Sequence, residues 1–372
     1  MYPIRVLMLF TVMNRGGAES MVMNYYRHID KSKIQFDFMV HRKERGDYDD
    51  EIEALGGKIY RMRNLNPLTF REYQNEISDF FDIHPEYKII HGHCSESGYF
   101  VYKEASRRGV PVIIAHAHNS YALFDLKWIF RIYFKYKMRN YITNQFTCGR
   151  QSAEWLFGNK NADNAILQHN AIDTSLFRYE DKDYFEMRRK LNLPIDAMIV
   201  GHVGRFEKQK NHLFILKIFA SIHKMESNTF LLLIGTGKLM NSIKKEAKRL
   251  GIKDSIIFLG NRTDVHFLLN TMNLFLFPSF MEGLSLSMVE AQCSGLPCLV
   301  SDAIPIEVKM TNLVSLLSLK EPSNKWAEIA IDLMKKINFR ENYYKEIENH
   351  GYDIARNAIE LQNIYIDLLS GK

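Results

Sequence analysis

Short apolar runs alternate with longer amphipathic stretches from one end of the chain to the other. The runs are continuous and rich in Ile, Leu, Val and Phe, which is typical of strands buried on both faces of a parallel sheet. Nine are predicted as strands: Val6–Phe10, Phe36–Val40, Lys88–His91, Val112–Ala115, Met198–Val203, Phe230–Ile234, Ile256–Leu259, Leu274–Phe277 and Cys298–Val300. Because strand and helix patterns alternate, the sequence predicts α/β architecture.

The alternation is interrupted once, in the middle of the chain. Tyr179–Asp183 is charged and lacks an apolar period, and a short helix is predicted after it over Tyr184–Leu191. A chain of 372 residues is too long for one ordinary core, so two domains with a boundary near residue 178 are predicted. The apolar positions of a closing helix, Ala355–Leu369, allow it to pack on either domain.

Composition narrows the class of protein. The chain is 46% hydrophobic and 25% charged, which is ordinary for a soluble fold, and no apolar run is long enough for a membrane-spanning helix. Four cysteines without a CxxC pair predict buried small side chains in a reducing compartment, so a cytoplasmic location is expected. A formal charge of +6 suits an anionic ligand or an anionic membrane surface without requiring either.

Two loops that follow predicted strands are suited to phosphate. Gly16 and Gly17 come directly before a helix, whose free N–H groups would favour an anion. Arg205 and Lys210 follow the first strand of the second half, and together they could hold a diphosphate and stabilise the charge that grows as a sugar–phosphate bond breaks. A plain turn and a solvated basic loop are the alternative interpretations.

The strongest motif follows the strand Leu274–Phe277. Glu282 and Gly283 lie in a loop, and a helix capped by Ser285 or Ser287 is predicted next, with loop amides that would face a phosphate or a sugar. Glu290 lies inside that helix. The two carboxylates could therefore accept hydrogen bonds from hydroxyls at two parts of one extended ligand. The alternative for Glu290 is a salt-bridged glutamate on the helix surface, although an unpaired carboxylate among apolar neighbours is costly.

Weaker signals occur elsewhere. Gly235 in a GxG turn and Arg262 after another strand could lie beside a nucleotide, or could belong only to turns. His116 and His118 end a strand and alternate to the same side, and a position facing a ligand cleft is predicted for them. Zinc is the rival idea for this pair and for His91 and His93. No metal is predicted, because no Cys or acidic residue nearby has metal-site spacing.

Lys127–Arg150 is basic, aromatic and free of acidic residues. Lys127, Arg131, Lys135 and Arg139 recur every four residues and would form one stripe along a helix. The segment either lies on an anionic bilayer or is a core helix with a solvated charged face.

Taken in order, these motifs resemble the retaining glycosyltransferase family 4, also called group 1 glycosyltransferases. The resemblance rests on Gly16–Glu19, Gly204-Arg205 with Lys210, Glu282 paired with Glu290, and a linker-like stretch, Asn170–Phe177. Val300–Pro305 and Phe146–Arg150 are similar to bacterial exopolysaccharide and capsule members. Many members carry a glycine pair where Ala303-Ile304 stands here, so that loop is expected to shape the donor site differently.

The resemblance implies a GT-B fold, in which two Rossmann-like domains with parallel sheets face each other across a cleft. The acceptor-side domain would comprise residues 1–178 plus 353–372, and the nucleotide-sugar domain residues 179–352. The implied reaction moves a sugar, with retention, from a nucleotide-diphosphate sugar to a glycan or lipid-linked glycan in polysaccharide biosynthesis. UDP-sugar is expected from family frequency. No metal or cofactor is expected, nor is nucleic acid, and the enzyme would be cytoplasmic or peripheral on the cell membrane.

The resemblance also assigns residues. The catalytic set would be His118, Glu282, Arg205 and Lys210, with His116 as the substitute for His118. The donor-binding set would be Gly16, Gly17, Gly235, Arg262, Gly283, Leu284, Ser285 and Glu290. Within these sets, Arg205 and Lys210 would hold the diphosphate, Glu290 the ribose, and Glu282 the transferred sugar.

Two other functions fit parts of the pattern. A sugar-nucleotide epimerase of similar fold would isomerise the donor when no acceptor is present. A non-catalytic subunit would bind sugar nucleotide and show neither transfer nor slow donor hydrolysis.

Overall fold

The structure, a computed structural model, describes residues 2–118, 128–336 and 340–371. Its strands are β1 Ile4–Phe10, β2 Ile34–Val40, β3 Ile59–Arg61, β4 Ile89–Gly92, β5 Val112–Ala117, β6 Asn144–Thr147, β7 Ile166–Leu167, β8 Met198–Val203, β9 Thr229–Ile234, β10 Ile256–Gly260, β11 Leu274–Phe277, β12 Cys298–Ser301 and β13 Val314–Leu317. All nine predicted strands are present. The sequence missed β3, β6, β7 and β13, which are short, lie at or next to a sheet edge, and therefore lack a long apolar run.

The helices lie between the strands, as the alternation predicts. They are α1 Gly17–His28, α2 Asp49–Ala54, α3 Phe70–Ile83, α4 Tyr99–Arg107, α5 Trp128–Met138, α6 Arg150–Phe157, α7 Asn159–Ala162, α8 Asp181–Lys190, α9 His212–Met225, α10 Met240–Arg249, α11 Val265–Thr271, α12 Leu286–Cys293, α13 Ser323–Lys336, α14 Tyr344–Asn349 and α15 Ile354–Ser370. In the described residues, no helix is both long and apolar enough to cross a bilayer.

The chain forms two compact units. Unit 1 extends to Ala171 and includes α15, and unit 2 spans Ile172–Asp353. The sequence places the first boundary near residue 178 instead. The stretch from Ile172 onward lies with unit 2 because the Ile172 amide donates to the Tyr352 carbonyl at 3.0 Å and Thr174 Oγ1 donates to Glu348 at 2.8 Å.

Each unit has a parallel sheet, with seven strands in unit 1 and six in unit 2 over the described residues. The strand order is β3-β2-β1-β4-β5-β6-β7 in unit 1 and β10-β9-β8-β11-β12-β13 in unit 2. In both, the first strand lies inside the sheet and the chain order reverses beside it, at β1/β4 and at β8/β11. Open α/β sheets bind ligands outside the carboxyl ends of strands at such a reversal. The loops after β1, β4, β8 and β11 are therefore the first places to look for a site.

No disulfide joins the four cysteines, all of which lie in the described residues, as the sequence predicts. Cys148, Cys293 and Cys298 are buried, and Cys94 is partly buried. They pack as small side chains in the two units.

Candidate functional site

Three loops at the carboxyl edge of the unit 2 sheet hold one another in place. The loop after β8 is joined to the loop after β9 by two backbone hydrogen bonds. The same loop after β8 is joined to the loop after β11 by three hydrogen bonds. They are Gly204 N to Ile234 O (2.9 Å), Phe206 N to Thr236 O (2.9 Å), Phe280 N to Gln209 O (2.9 Å), Gln209 Nε2 to Met281 O (2.9 Å) and Asn211 Nδ2 to Pro278 O (3.0 Å). The loop after β8 is thus fixed at the reversal of strand order.

Lys210 and Glu282 meet at this position. Lys210 Nζ lies 2.8 Å from Glu282 Oε1, and the side chains are 15% and 7% exposed. The ammonium also lies 4.7 Å from the ring centre of Phe277, the last residue of β11. Although the two charges are close, Oε1 has no aligned hydrogen bond among the described residues. The carboxylate is therefore held beside a buried cation, and its Oε1 is itself buried.

Two further polar side chains lie on the same two strand ends. His202, in β8, and Ser279, after β11, are fully buried, and His202 Nε2 and Ser279 Oγ have no hydrogen-bond partner among the described residues. A Cβ on Gly204 would lie 2.9 Å from His202 Nε2 and 3.2 Å from Lys210 Cδ, so this glycine lets the two side chains approach. Burial lowers the pKa of His202 well below its usual value, and its ring is neutral.

The sequence analysis did not single out His202 and Ser279, which the structure makes candidates for the site. The available signal was position: His202 precedes Gly204 by two residues, and Ser279 follows the proline that ends β11. Buried polar atoms without partners are costly to a fold, and a ligand that hydrogen-bonds to them removes that cost.

Glu290 lies in α12, whose N-cap is Ser285, one of the two predicted positions, although the Ser285 side chain makes no capping hydrogen bond. Its carboxylate is half-buried, and burial raises its pKa to about 7. No hydrogen bond or ion pair to this carboxylate is found in the described part of the chain, so the salt-bridged surface glutamate considered from the sequence does not occur. Gly283, Leu284 and Ser285 are half-buried between β11 and α12.

The remaining unit 2 candidates lie nearby or are already paired. Arg205 is 62% exposed, and its nearest acid is Glu207 at 3.9 Å. Arg262 donates two hydrogen bonds to the Asp264 carboxylate, at 2.8 and 2.6 Å, so its guanidinium is already paired. Gly235, at φ +126°, packs so closely on the Gly204 carbonyl that a Cβ there would collide with it.

The glycine pair of unit 1 follows β1 at the reversal of the first sheet. Gly16 is the N-cap of α1, and Gly17 is the first residue of that helix. A Cβ on Gly16 would meet the Glu19 carboxylate, whereas a Cβ on Gly17 would meet nothing within 4 Å. Packing in the fold therefore gives no reason for a glycine at Gly17, and the space beside it is open.

Four histidines at the ends of β4 and β5 form a stacked, hydrogen-bonded array. His91 Nε2 lies 3.1 Å from His116 Nδ1, and His93 Nδ1 lies 2.8 Å from His118 Nε2. The rings of His116 and His118 stack at 4.1 Å, and those of His91 and His93 at 4.4 Å. At one end of the array, the hydroxyl of Tyr365 in α15 is hydrogen-bonded to His91 Nδ1 at 2.7 Å. His118 is therefore held in one orientation by its neighbours.

Burial keeps these imidazoles neutral. It lowers the pKa of His91 to about 3 and of His118 to about 4, and it lowers the pKa values of His93 and His116 well below the usual range. His91, His93 and His116 each place a ring nitrogen within 4.8 Å of the others, which is close enough to share a metal ion. The His91 ring stacks face to face on those of His93 and His116, whereas the His93 and His116 rings are tilted by 35°. Metal independence stays a prediction.

Two cations of the predicted basic stripe, Lys135 in α5 and Arg139 just after it, are turned towards α6. Lys135 Nζ donates to the Trp155 carbonyl at 2.7 Å, and Arg139 donates to the Leu156 carbonyl at 2.9 Å. These cations thus bond the carboxyl-terminal carbonyls of α6, where positive charge is favourable. The expectation of a solvated charged face was wrong for these two residues, and Lys127 lies outside the described residues.

Comparison with known proteins identifies the family. Residues 183–350, all in unit 2, match the family model described as glycosyl transferases group 1. Over 372 residues the chain is 36% identical to "Putative glycosyltransferase EpsF" of Bacillus subtilis (strain 168), an alignment that covers 97% of this chain and 96% of that protein. It is 25% identical over 358 residues to the UDP-Gal:alpha-D-GlcNAc-diphosphoundecaprenol alpha-1,3-galactosyltransferase of Escherichia coli, covering 91% of each.

Solved structures agree on the architecture. Anabaena Alr3699/HepE, crystallised in complex with UDP-glucose, superposes with a TM-score of 0.81 and 15% identity, covering 98% of this chain and 99% of that one. WaaG, a glycosyltransferase involved in lipopolysaccharide biosynthesis, superposes with a TM-score of 0.72 and 13% identity, covering 97% and 99%. At these identities the likeness establishes the fold, and the relatives establish the family. With its two Rossmann-like units of the GT-B class, the chain belongs to the group 1 glycosyltransferases and is a glycosyltransferase enzyme.

Proposed function

We propose that the protein transfers a sugar from a nucleotide-diphosphate sugar, of which a UDP-sugar is the first candidate, to a hydroxyl of a glycan or lipid-linked glycan in polysaccharide biosynthesis. The observation that carries the donor assignment is the Lys210–Glu282 pair at the reversal of the unit 2 sheet. A cation and a carboxylate side by side match a ligand that has a phosphate beside a sugar hydroxyl.

The other candidate residues suit the rest of such a donor. Glu290, half-buried and without a partner in the described residues, would accept hydrogen bonds from the ribose hydroxyls. Arg205 would join Lys210 on the diphosphate, since its guanidinium is exposed and only loosely paired. By family resemblance, Gly17 would contact the phosphates through its backbone, and His118 would hydrogen-bond to the transferred sugar.

A same-face displacement is the proposed chemistry. The acceptor oxygen bonds to C1 of the sugar while the bond from C1 to the diphosphate oxygen breaks on the same face. The electron pair of that bond leaves with the diphosphate, which takes up the proton of the acceptor hydroxyl. Lys210 and Arg205 would stabilise the growing negative charge, as preorganised cations do in other transfers. All bonds, electrons and protons of this step are accounted for without an enzyme nucleophile or a metal.

Two relatives support the choice of donor and acceptor. The Escherichia coli protein is named for UDP-Gal and for a diphosphoundecaprenol-linked acceptor, and the Anabaena structure holds UDP-glucose. These ligands belong to those proteins, and they define the first compounds to test on this one.

Calorimetric titration with UDP, UDP-glucose, UDP-galactose, UDP-N-acetylglucosamine and GDP-mannose tests the donor. We expect one nucleotide sugar to bind, and to be hydrolysed slowly without acceptor. Lys210→Met should abolish both donor binding and donor hydrolysis. Lys208→Ala, in the same turn, should leave both intact. Binding of none of these donors would refute the donor proposal, and isomerised sugar without transfer would favour the epimerase. An inverted anomeric configuration in the product, measured by NMR, would refute retention.

A further inference from the structure

The imidazole of His202 is held in one fixed tautomer inside unit 2. The side chain is fully buried near the carboxyl end of β8, and its Nδ1 donates a hydrogen bond to the Leu276 carbonyl of β11 at 2.9 Å. A carbonyl can only accept, so Nδ1 carries the proton and Nε2 carries a lone pair. Burial lowers the pKa of the ring well below its usual value, with smaller contributions from the charges of His212 and Lys210. His202 Nε2 is therefore a hydrogen-bond acceptor at neutral pH.

This acceptor has no hydrogen-bond partner among the described residues. A buried acceptor without a partner destabilises a folded chain, and an apolar ring of similar size would avoid that loss. The bond to Leu276 uses only Nδ1, so it gives no reason for the second ring nitrogen. A partner that reaches Nε2 in a working state of the protein would supply that reason.

The Lys210 side chain borders the same space as His202 Nε2. A Cβ on Gly204 would lie 2.9 Å from Nε2 and 3.2 Å from both Cδ and Cε of Lys210. Both side chains also lie against the ring of Phe277, with the His202 ring stacked on it at 5.5 Å between centres and Lys210 Nζ 4.7 Å from its centre. Because Nζ is one bond beyond Cε, a change of rotamer at the end of Lys210 can carry the ammonium towards Nε2.

The Lys210 ammonium has more donors than its present partner uses. It carries three N–H groups, and among the described residues it is ion-paired only with Glu282, at 2.8 Å. In the proposed function this ammonium binds the donor diphosphate, while Glu282 binds the transferred sugar. An ammonium that turns from Glu282 towards a diphosphate needs another acceptor on the protein to hold its new position.

We propose that His202 is a positioning residue for Lys210: its Nε2 accepts a hydrogen bond from the Lys210 ammonium when a nucleoside diphosphate is bound. A neutral acceptor would fix the ammonium without cancelling its charge, and Glu282 would be released for the hydroxyls of the sugar. Gly204 contributes by having no side chain, since a Cβ would fill the space in which the two groups meet. The inference rests on the proposed function, because it requires a diphosphate at Lys210.

His212 is the rival partner for His202. The two rings lie 4.9 Å apart at 84°, and both ring nitrogens of His212 are buried without a partner in the described residues. A neutral His212 has one N–H group, which would reach His202 Nε2 only after its ring turned. In that case the two histidines would serve the fold alone, and the affinity for a diphosphate would not depend on Nε2.

Two replacements of His202 separate its two ring nitrogens. His202→Asn keeps an amide near the Nδ1 position, where it can donate to the Leu276 carbonyl, and removes the Nε2 acceptor. His202→Gln places an amide oxygen near the Nε2 position and gives up the bond to Leu276. In calorimetric titration with UDP, or with GDP if the wild type binds a GDP-sugar, His202→Asn should bind about tenfold more weakly, because a hydrogen bond to a charged group is lost. His202→Gln should recover most of the affinity, although its thermal midpoint should be lower.

His223→Asn is the matched control. His223 lies in the last turn of α9, and its ring nitrogens are hydrogen-bonded to Thr229 Oγ1 at 3.0 Å and to Ser255 Oγ at 3.2 Å. The same replacement therefore removes a histidine hydrogen bond at the opposite end of that helix from Lys210. It should leave the affinity for the nucleoside diphosphate unchanged.

Each alternative outcome contradicts a different part of the argument. Equal affinity of His202→Asn and the wild type would overturn this inference and leave the proposed function intact. Weaker binding by His202→Gln than by His202→Asn would assign His202 to the fold through Leu276 and would also overturn it. A loss confined to the sugar nucleotide, with normal binding of the nucleoside diphosphate, would place Nε2 on the sugar instead of Lys210. A wild-type protein that binds none of these nucleotides would overturn this inference together with the proposed function.

Discussion

Lys210 Nζ and Glu282 Oε1 lie 2.8 Å apart, although the two residues come from loops that follow different strands. A buried ion pair adds little to stability, because both charges must give up water, and apolar residues of similar volume often do as well. Its position at the reversal of the unit 2 sheet, where open α/β sheets bind ligands, fits a ligand site better than a structural role.

Replacing the two residues separately and together distinguishes these roles. Lys210→Met should destabilise unit 2 by about 3–5 kcal/mol, because it leaves the Glu282 carboxylate buried without a cation. The double variant with Glu282→Gln should recover most of that stability and still lack transfer activity. Chemical denaturation and a transfer assay measure the two effects. Recovery of activity together with stability would show that the pair serves only the fold.

Arg205→Ala should impair turnover and leave stability unchanged. The side chain is 62% exposed and its nearest acid is 3.9 Å away, so folding gains little from it. Loss of one charged hydrogen bond to the diphosphate would cost about 1.5–3 kcal/mol, or about ten- to hundredfold in kcat/KM. Lys208→Ala removes an exposed cation from the same loop and serves as the control. Equal effects of the two changes would point to general electrostatic attraction only.

Gly17→Ala should weaken donor binding without harming the fold. A Cβ at this position meets nothing within 4 Å, and alanine favours a helix more than glycine does. The thermal midpoint should therefore stay the same or rise, while the methyl group obstructs close approach of a phosphate. Gly149→Ala is the control, since Gly149 lies at the N-cap of a helix after a strand and its Cβ also meets nothing within 4 Å. Normal donor affinity in Gly17→Ala would remove this glycine from the proposed site.

Donor affinity should depend on pH through Glu290. Burial raises the pKa of its carboxyl to about 7, so the free protein carries mostly the neutral form below that value and the carboxylate above it. If the carboxylate accepts the ribose hydroxyls, affinity should rise about tenfold between pH 6 and pH 8 and then level off. Calorimetric titration across this range measures the effect, with Glu290→Gln as the comparison. The same pH dependence in Glu290→Gln would assign the titration to another group.

Unit 1 should lose stability in mild acid because of its histidine array. Burial lowers the folded-state pKa of His91 to about 3 and of His118 to about 4, below the unfolded value of about 6.5. The unfolded chain therefore binds more protons as the pH falls from about 6.5 towards 4. The stability that the neutral rings provide above pH 6.5 is lost through that window.

The contribution of one ring can be measured by substitution. Each buried histidine contributes about 1.4 kcal/mol per pH unit to the slope of unfolding free energy against pH. His91→Phe should lower the total stability, because it leaves the Tyr365 hydroxyl without its partner, and it should also make that slope shallower by about one proton. Calorimetric midpoints from pH 4 to pH 8 test this. An unchanged slope would mean that His91 is protonated in the folded chain.

Local pattern was sufficient to predict much of the fold. The continuous apolar runs Val6–Phe10 in β1 and Leu274–Phe277 in β11 identify buried parallel strands, because only strands covered on both faces can be apolar at every position. The edge strands β3, β7 and β13 escaped prediction because one side of each lacks a neighbouring strand and their sequences carry shorter apolar runs. Motifs at the carboxyl ends of strands indicated the candidate site, because parallel sheets place ligands there.

The sequence by itself determined which residues can carry the chemistry: the glycines after β1, the cations after β8, the carboxylates after β11 and the histidines after β4 and β5. Only the tertiary structure decided which of them are neighbours. It paired Lys210 with Glu282 and Arg262 with Asp264, gathered four histidines of which His91 bonds to Tyr365 from far along the chain, and turned Lys135 towards α6. Helical and strand periods fix which side of an element a residue occupies. What that side faces depends on packing between segments that are distant in sequence, and no local pattern records it.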